Sequence, residues 1–181
     1  MVTPQTPAIG DADGWIAFTA RVTALVGDTD PLTILAATVA DLRGLLAAVP
    51  RQALDGTERP GGWSVVGVIE HLADAELVFG YRLRQILTLD RPVLESFDQD
   101  RWAELGAYNA GDVDAALATF AALRTRHLRL WARVSGPMWD RVGIHGDRGA
   151  ESLRDMVRII AGHDLAHRQQ IVRILAQESD A

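Results

Sequence analysis

Apolar residues recur along most of the chain at intervals of three and four, the period of a helix buried along one side. Leu35, Val39, Leu42, Leu45, Leu46 and Val49 form one such stripe, bounded by Asp30-Pro31 and Pro50. Asp30 is placed to cap this helix, and Pro31 suits its first turn, where the missing N–H has no intrahelical partner to lose. Ser64 opens a second run that reaches about Leu89 and stops at Asp90-Arg91-Pro92. Gly111-Asp112 open a third, Asp112 to about Val134, closed by Ser135-Gly136-Pro137. Ser152, with Asp155 three residues later, has the form of a capping box and opens a fourth run to about Gln177. Two shorter candidates accompany these four: Asp13 to Val26, with Trp15, Phe18, Val22 and Leu25 well spaced, and Asp98 to Leu105. No stretch alternates apolar and polar residues for long enough to require a sheet. The expected architecture is all-α, an antiparallel four-helix bundle with short accessory helices. It forms a single domain over residues 11–181, behind a Met1–Gly10 segment expected to be disordered.

At 181 residues, such a domain buries roughly two-thirds of its unfolded surface. Composition then removes reaction classes. There is no Cys, and all 18 basic residues are Arg, so Lys is absent too. A thiolate nucleophile, a disulfide, an Fe–S cluster, a Cys-type zinc site, a Schiff base and a P-loop lysine are excluded together. Any metal must be held by His, Asp or Glu. The net charge of −6 argues against a surface built for nucleic-acid phosphates. No run approaches the ~20 apolar residues of a membrane span, and the N-terminus lacks a basic segment followed by an apolar one. A cytoplasmic protein acting on a small-molecule substrate, with no nucleic-acid or membrane partner, is expected.

The histidines carry the chemistry. His163 and His167 are four residues apart, which puts them on one helical face about 5–6 Å apart at Cβ. That face continues as Leu153, Met156, Ile160, His163, His167, Ile171 and Ile174, the stripe that turns inward. On the second helix, His71 shares a row with Val68, Ala75 and Val78. On spacing alone these are either hydrogen-bonded core histidines or ligands of one ion. Three neutral imidazoles suit a divalent metal (Zn, Ni, Fe or Mn) with open positions for water, the catalytic rather than the structural pattern. Asp74 and Glu76 are candidates for a general base or for supporting the ligands, or else ordinary salt-bridged positions. Asp164 is placed to pair with an Arg. His127, among Arg124, Arg126 and Arg129, reads as solvent-facing. His145, in the glycine-rich stretch Val142 to Gly149, reads as a loop residue that could overhang the mouth of the bundle.

These residues resemble a known family. Gly62-Trp63-Ser64 leading to Glu70-His71-Leu72-Ala73-Asp74-Ala75-Glu76 is similar to the opening of the second helix in the DinB/YfiT-like superfamily, where the first metal His follows seven residues after the Ser. Ala161-Gly162-His163-Asp164-Leu165-Ala166-His167-Arg168-Gln169-Gln170-Ile171 resembles its terminal HDxxHxxQI motif. Between them, Arg124 with Leu128, then Trp139-Asp140-Arg141-Val142-Gly143-Ile144-His145, look like its middle signature. The match runs from about Asp30 to Gln177 in the right order. The resemblance implies a four-helix bundle, often dimeric, holding a divalent metal, Zn or Ni, on His71, His163 and His167. It also implies either hydrolysis or chemistry with a low-molecular-weight thiol cosubstrate, as in mycothiol-dependent maleylpyruvate isomerase and bacillithiol S-transferase. Asp74, Glu76, His145 and Arg124 are the candidate catalytic residues, and a homodimer is expected. The other class of function it leaves open is a non-catalytic, metal-stabilised binding or stress-response module.

Overall fold

Residues 7–179 are described by the computed structural model. Six helices account for most of the chain: α1 Ala12–Val26, α2 Pro31–Leu46, α3 Val65–Thr88, α4 Gln99–Leu105, α5 Val113–Trp131 and α6 Leu153–Ser179. The caps are those the sequence carries. Asp30 accepts from the Leu32 N–H, Ser64 from Gly67 and Asp112 from Asp114 and Ala115. Ser152 and Asp155 form a reciprocal box, Ser152 N–H to Asp155 Oδ2 at 3.0 Å and Asp155 N–H to Ser152 Oγ at 3.2 Å. Of the Met1–Gly10 segment, residues 1–6 lie outside the described residues. Ala8 and Gly10 are engaged, the carbonyl of the first accepting from Trp15 Nε1 and the N–H of the second donating to Asp147 Oδ1.

The four long helices α2, α3, α5 and α6 form a bundle in which α5 and α6 each lie between α2 and α3, while α1 packs outside on α6. Its interior has two apolar clusters. One contains Leu35, Ala75, Phe79, Leu83, Trp131, Met156 and Ile160; the other contains Leu42, Val65, Ile69, Leu72, Phe120, Ile171 and Ile174. Each helix crosses from one cluster to the other. Traced by residue number, α3 and α5 run one way and α2 and α6 the other. The segment between α3 and α5 therefore returns the chain to the end where α3 began, where Asn109 Oδ1 accepts from the Ser64 N–H at 2.8 Å. At the crossing point every helix is polar inside: Thr38 on α2, His71 and Glu76 on α3, Arg124 and His127 on α5, His163, Asp164 and His167 on α6 are all buried. A polar layer thus lies across the bundle between two greasy ones.

Where α1 meets α6, Gly162 permits the close approach. A Cβ at that position would stand 2.0 Å from the Val22 carbonyl oxygen.

A small sheet departs from the all-helical expectation. β1 Val93–Leu94 pairs in parallel with β2 Val142–His145, which pairs antiparallel with β3 Gly149–Ser152. The β2–β3 hairpin aligns His145 with Gly149, which turns at φ +75°, a region open to glycine at little cost. Strands of two to four residues are too short to show a period of two, and so leave no alternating pattern in the sequence. No single helix is long and apolar enough to cross a membrane.

Candidate metal centre

His71, His163 and His167 meet in the polar layer. His71 Nε2 and His163 Nε2 face one another at 3.0 Å, and one ring nitrogen from each of the three lies within 4.8 Å of the others. All three rings are buried. Burial holds the His71 and His163 imidazoles well below the ordinary histidine range, with the neighbouring His167 adding to it, and brings His167 down to about 4. At neutral pH the three rings are uncharged and offer lone pairs. The His167 Nδ1–H donates to Gln170 Oε1 at 2.8 Å, which fixes the tautomer and leaves Nε2 as the ligating atom. His71 Nδ1 is buried with no hydrogen-bond partner. Trp63 lies over the His71 ring with centroids 4.6 Å apart, and Phe79 meets His163 edge to face.

This donor set fits a divalent transition metal. Two nitrogens each 2.0–2.1 Å from one tetrahedral ion lie about 3.4 Å apart, within the span from 3.0 to 4.8 Å found here. Without a cation, two lone pairs facing at 3.0 Å must share one proton. A divalent ion would take a lone pair from each of the three rings at once.

Beside the cluster, Arg124 anchors a buried ion network. Its guanidinium donates to Glu76 Oε2 at 2.8 Å, to Asp164 Oδ2 at 2.6 Å and to the Leu35 carbonyl at 3.1 Å. Thr38 Oγ1 donates to Asp164 at 2.8 Å, and His127 Nδ1 donates to the other oxygen of Glu76 at 2.8 Å. Burial pushes Glu76 up, but the His127 hydrogen bond and Arg124 outweigh it and hold the carboxyl below its usual range. For Asp164, burial outweighs the pull of Arg124 and Thr38, and the net direction is up. Arg124 is raised; burial opposes its charge, and the two carboxylates more than offset this. His127, expected at the surface, is 3% exposed. It lies on the inward row Val113, Ala116, Phe120, Arg124, His127 and Trp131, where Gly80 leaves space for its ring.

The other candidates fall in different places. Asp74 accepts a hydrogen bond from the Tyr108 hydroxyl, on the side of α3 toward the turn before α5. Both carboxylate oxygens of Glu76 and both terminal nitrogens of Arg124 are taken up by one another and their neighbours, while Arg124 Nε is buried without a hydrogen-bond partner. His145 is not a loop residue; it ends β2, is buried, and packs near Trp15 with centroids 6.1 Å apart. It lines a cleft together with His71 and His163. The remaining wall includes Trp15, Phe18, Phe97, Arg82 and Arg148. Neither arginine stands out in the sequence, because both reach the cleft through tertiary contacts, Arg82 from the far half of α3 and Arg148 from the hairpin turn.

The DinB superfamily model matches residues 34–171, more than half of the chain. The chain belongs to the DinB superfamily. A protein of Oceanobacillus iheyensis named "Putative metal-dependent hydrolase" is 32% identical over 133 residues, 74% of this chain and 77% of its own length. One of the same name from Geobacillus thermodenitrificans is 26% identical over 134 residues, 74% of this chain and 75% of its own. The solved structure of YfiT from Bacillus subtilis, titled a probable metal-dependent hydrolase with an unusual four-helix bundle topology, superposes with a TM-score of 0.77. It shares 24% identity and covers 82% of this chain and 86% of that one, a likeness of fold. The DinB bundle here is the YfiT-like one, and its three-His cluster lies within the matched span.

Proposed function

We propose that this DinB-superfamily protein is a metal-dependent enzyme in which His71, His163 and His167 hold a divalent ion, Zn or Ni, and a small nucleophile attacks an electrophilic substrate in the adjoining cleft. The observation that carries this reading is the convergence of three neutral, buried imidazoles, two of which, His71 and His163, also line the adjoining cleft. A closed structural site would have no such opening. When bound, the ion supplies acidity: it lowers the pKa of a coordinated water or low-molecular-weight thiol toward neutrality and polarises a carbonyl.

The chain's own residues do the rest. Gln170 sets the His167 ring, while Trp63 and Phe79 flank His71 and His163 and keep water from their edges. Arg124, Glu76 and Asp164 act as positioning residues, because the terminal guanidinium nitrogens and the carboxylates bond one another and none of the three residues lines the cleft. His145 accepts the Asp147 N–H at its Nδ1 at 3.1 Å, so its ring proton sits on Nε2. Its place is that of a donor to substrate oxygen, not a general base. Among the described residues no carboxylate lines the cleft, so activation of the nucleophile falls to the ion and not to an Asp or Glu.

The test is metal analysis of the full chain with the three single His→Ala variants, followed by a screen of the loaded protein against electrophiles with and without mycothiol, bacillithiol or glutathione. Turnover without added thiol identifies a hydrolase, and turnover only with thiol identifies a transferase. A protein with no metal and no affinity for one refutes the reading. Metal retained without any turnover assigns the chain to the non-catalytic, metal-stabilised class. A homodimer and a cytoplasmic location belong to the same proposal. Leu77 and Tyr81, one turn apart on α3 and 51% and 63% exposed, give an apolar strip for self-association, which light scattering checks.

A further inference from the structure

The charges along the cleft are one-sided. Two arginines line it, Arg82 and Arg148, together with His145 at the end of β2, and among the described residues no Asp or Glu does. The carboxylates of this region are turned elsewhere. Asp147 accepts from the Ser96 hydroxyl at 2.5 Å and the Gly10 N–H at 2.7 Å, and Glu151 pairs with Arg148 at 2.7 Å. Arg82 differs from Arg148 in having no ion-pair partner among the described residues. It is 2% exposed, one of its terminal nitrogens donates to the Glu95 carbonyl, and its Nε is buried without a hydrogen-bond partner. A buried guanidinium needs its N–H groups bonded, and Glu151 and Asp147 answer the charge of Arg82 only through space, without a direct ion pair. Burial and the nearby Arg148 bring its pKa down to about 10, against the opposing pull of Glu151 and Asp147, so it remains charged at neutral pH. His145 presents its Nε2–H in the same cleft, since Nδ1 is taken by backbone N–H groups of Asp147 and Arg148.

We propose that Arg82, with His145 beside it, is a binding site for an oxyanion of the substrate, a carboxylate or a phosphate monoester, at the end of the cleft away from the His cluster. This rests on the cleft being the substrate site of the reaction proposed above, and it names the substrate class: a small anion whose electrophilic atom is presented to the three histidines while its negative group is held on Arg82. A guanidinium and an imidazole N–H aimed at one oxyanion give charge-assisted hydrogen bonds, the strong kind, and the aromatic side chains Trp15, Phe18 and Phe97 form the apolar body of the pocket.

The test is direct binding, separate from turnover. The full chain as purified, its metal content measured on the same sample, is titrated by calorimetry with benzoate, phenyl phosphate and the neutral benzamide. At least one anion is expected to bind about tenfold or more tighter than benzamide, as a charge-assisted pair does; benzoate marks a carboxylate substrate and phenyl phosphate a phosphate ester. Arg82→Gln is expected to remove that preference, and Arg82→Lys to keep part of it. Should Arg82→Gln not fold, as judged by its thermal melt, His145→Phe serves instead and is expected to weaken the anion severalfold. Anions that bind no better than benzamide overturn the proposal, and so does anion affinity unchanged in the folded Arg82→Gln variant, which would place the anion on the histidines. Loss of metal with Arg82-dependent anion binding intact counts against the proposed function and not against this site.

Discussion

Replacing Arg124 with Leu removes the one cation between two buried carboxylates. Arg124 is 2% exposed and bonds Glu76 at 2.8 Å, Asp164 at 2.6 Å and the Leu35 carbonyl at 3.1 Å. Breaking a buried pair by deleting one partner costs about 3–5 kcal/mol, because the other charge stays in a poor solvent. Two carboxylates lose their shared cation and keep only His127 and Thr38 as donors, and a carbonyl loses a donor, which puts the expected loss toward the upper end, about 4–5 kcal/mol. That is a large share of the 5–15 kcal/mol that typically holds a domain together. For a chain of this length it corresponds to a fall in Tm of about 8–20 °C. The pH dependence has a definite sign. Without Arg124, the folded-state pKa values of Glu76 and Asp164 rise above their unfolded values near 4. Groups raised in this way bind protons more readily in the folded state, so the penalty is full at pH 7.5 and shrinks as pH falls toward 5. Urea melts at the two pH values measure both effects. Adding Glu76→Gln and Asp164→Asn to Arg124→Leu is expected to return at least half of the loss, since neutral amides need no cation. A loss below about 1 kcal/mol at pH 7.5, or one that grows on acidification, would refute the argument that this network is a buried, charged unit.

Three further outcomes follow from the same geometry. Chelation is expected to lower the thermal midpoint, by an amount equivalent to about 2.7 kcal/mol where free metal had stood at a hundred times its Kd, and His163→Ala is expected to melt at the same temperature with and without chelator. In the chelated protein, stability should fall as pH drops from about 6.5 toward 4, because the folded histidines stay neutral where unfolded ones protonate. His167, held to about 4, accounts for about 3 kcal/mol of that by itself, and His167→Asn should make urea-melt stability less steep across this window, with His71 and His163 keeping the remainder. Gly80→Ala would put a Cβ 1.9 Å from His127 Cε1, so the ring must leave Glu76 or α3 must move away from α5. A loss of about 2–3 kcal/mol by denaturant melt is expected.

The long helices were legible because each repeats its apolar spacing over four or more turns and carries its own cap. Both halves of the three-His cluster could be read as well, since an i, i+4 pair and a His on an apolar row are local facts. What joins them was not local. That Glu76 answers Arg124, 48 residues away, and that Thr38 answers Asp164, 126 residues away, depends on helix pairing, for which one sequence gives no register. His127 shows a different failure. The polar neighbours Arg126 and Arg129 suggested an outward face, yet Phe120, Arg124, His127 and Trp131 fall on one inward row in which an arginine replaces an apolar residue. The sheet was missed because its strands are shorter than any pattern that could reveal them, and with it went the burial of His145 and the place of Arg148 in the cleft.

Gly162, His163 and Asp164 follow one another on α6, about 100° apart around its axis. The first lies against the backbone of α1 at Val22, the second faces His71, and the third holds Arg124. Turning α6 about its axis by one position would drive a side chain into α1, carry a carboxylate to the imidazoles and leave Arg124 facing a hydrocarbon. The helix is keyed at three azimuths at once and has a single angular setting. Two of the three imidazoles therefore ride on an element that cannot roll, and the spacing of His163 and His167 toward His71 is set by the packing of α6 as much as by the histidines themselves.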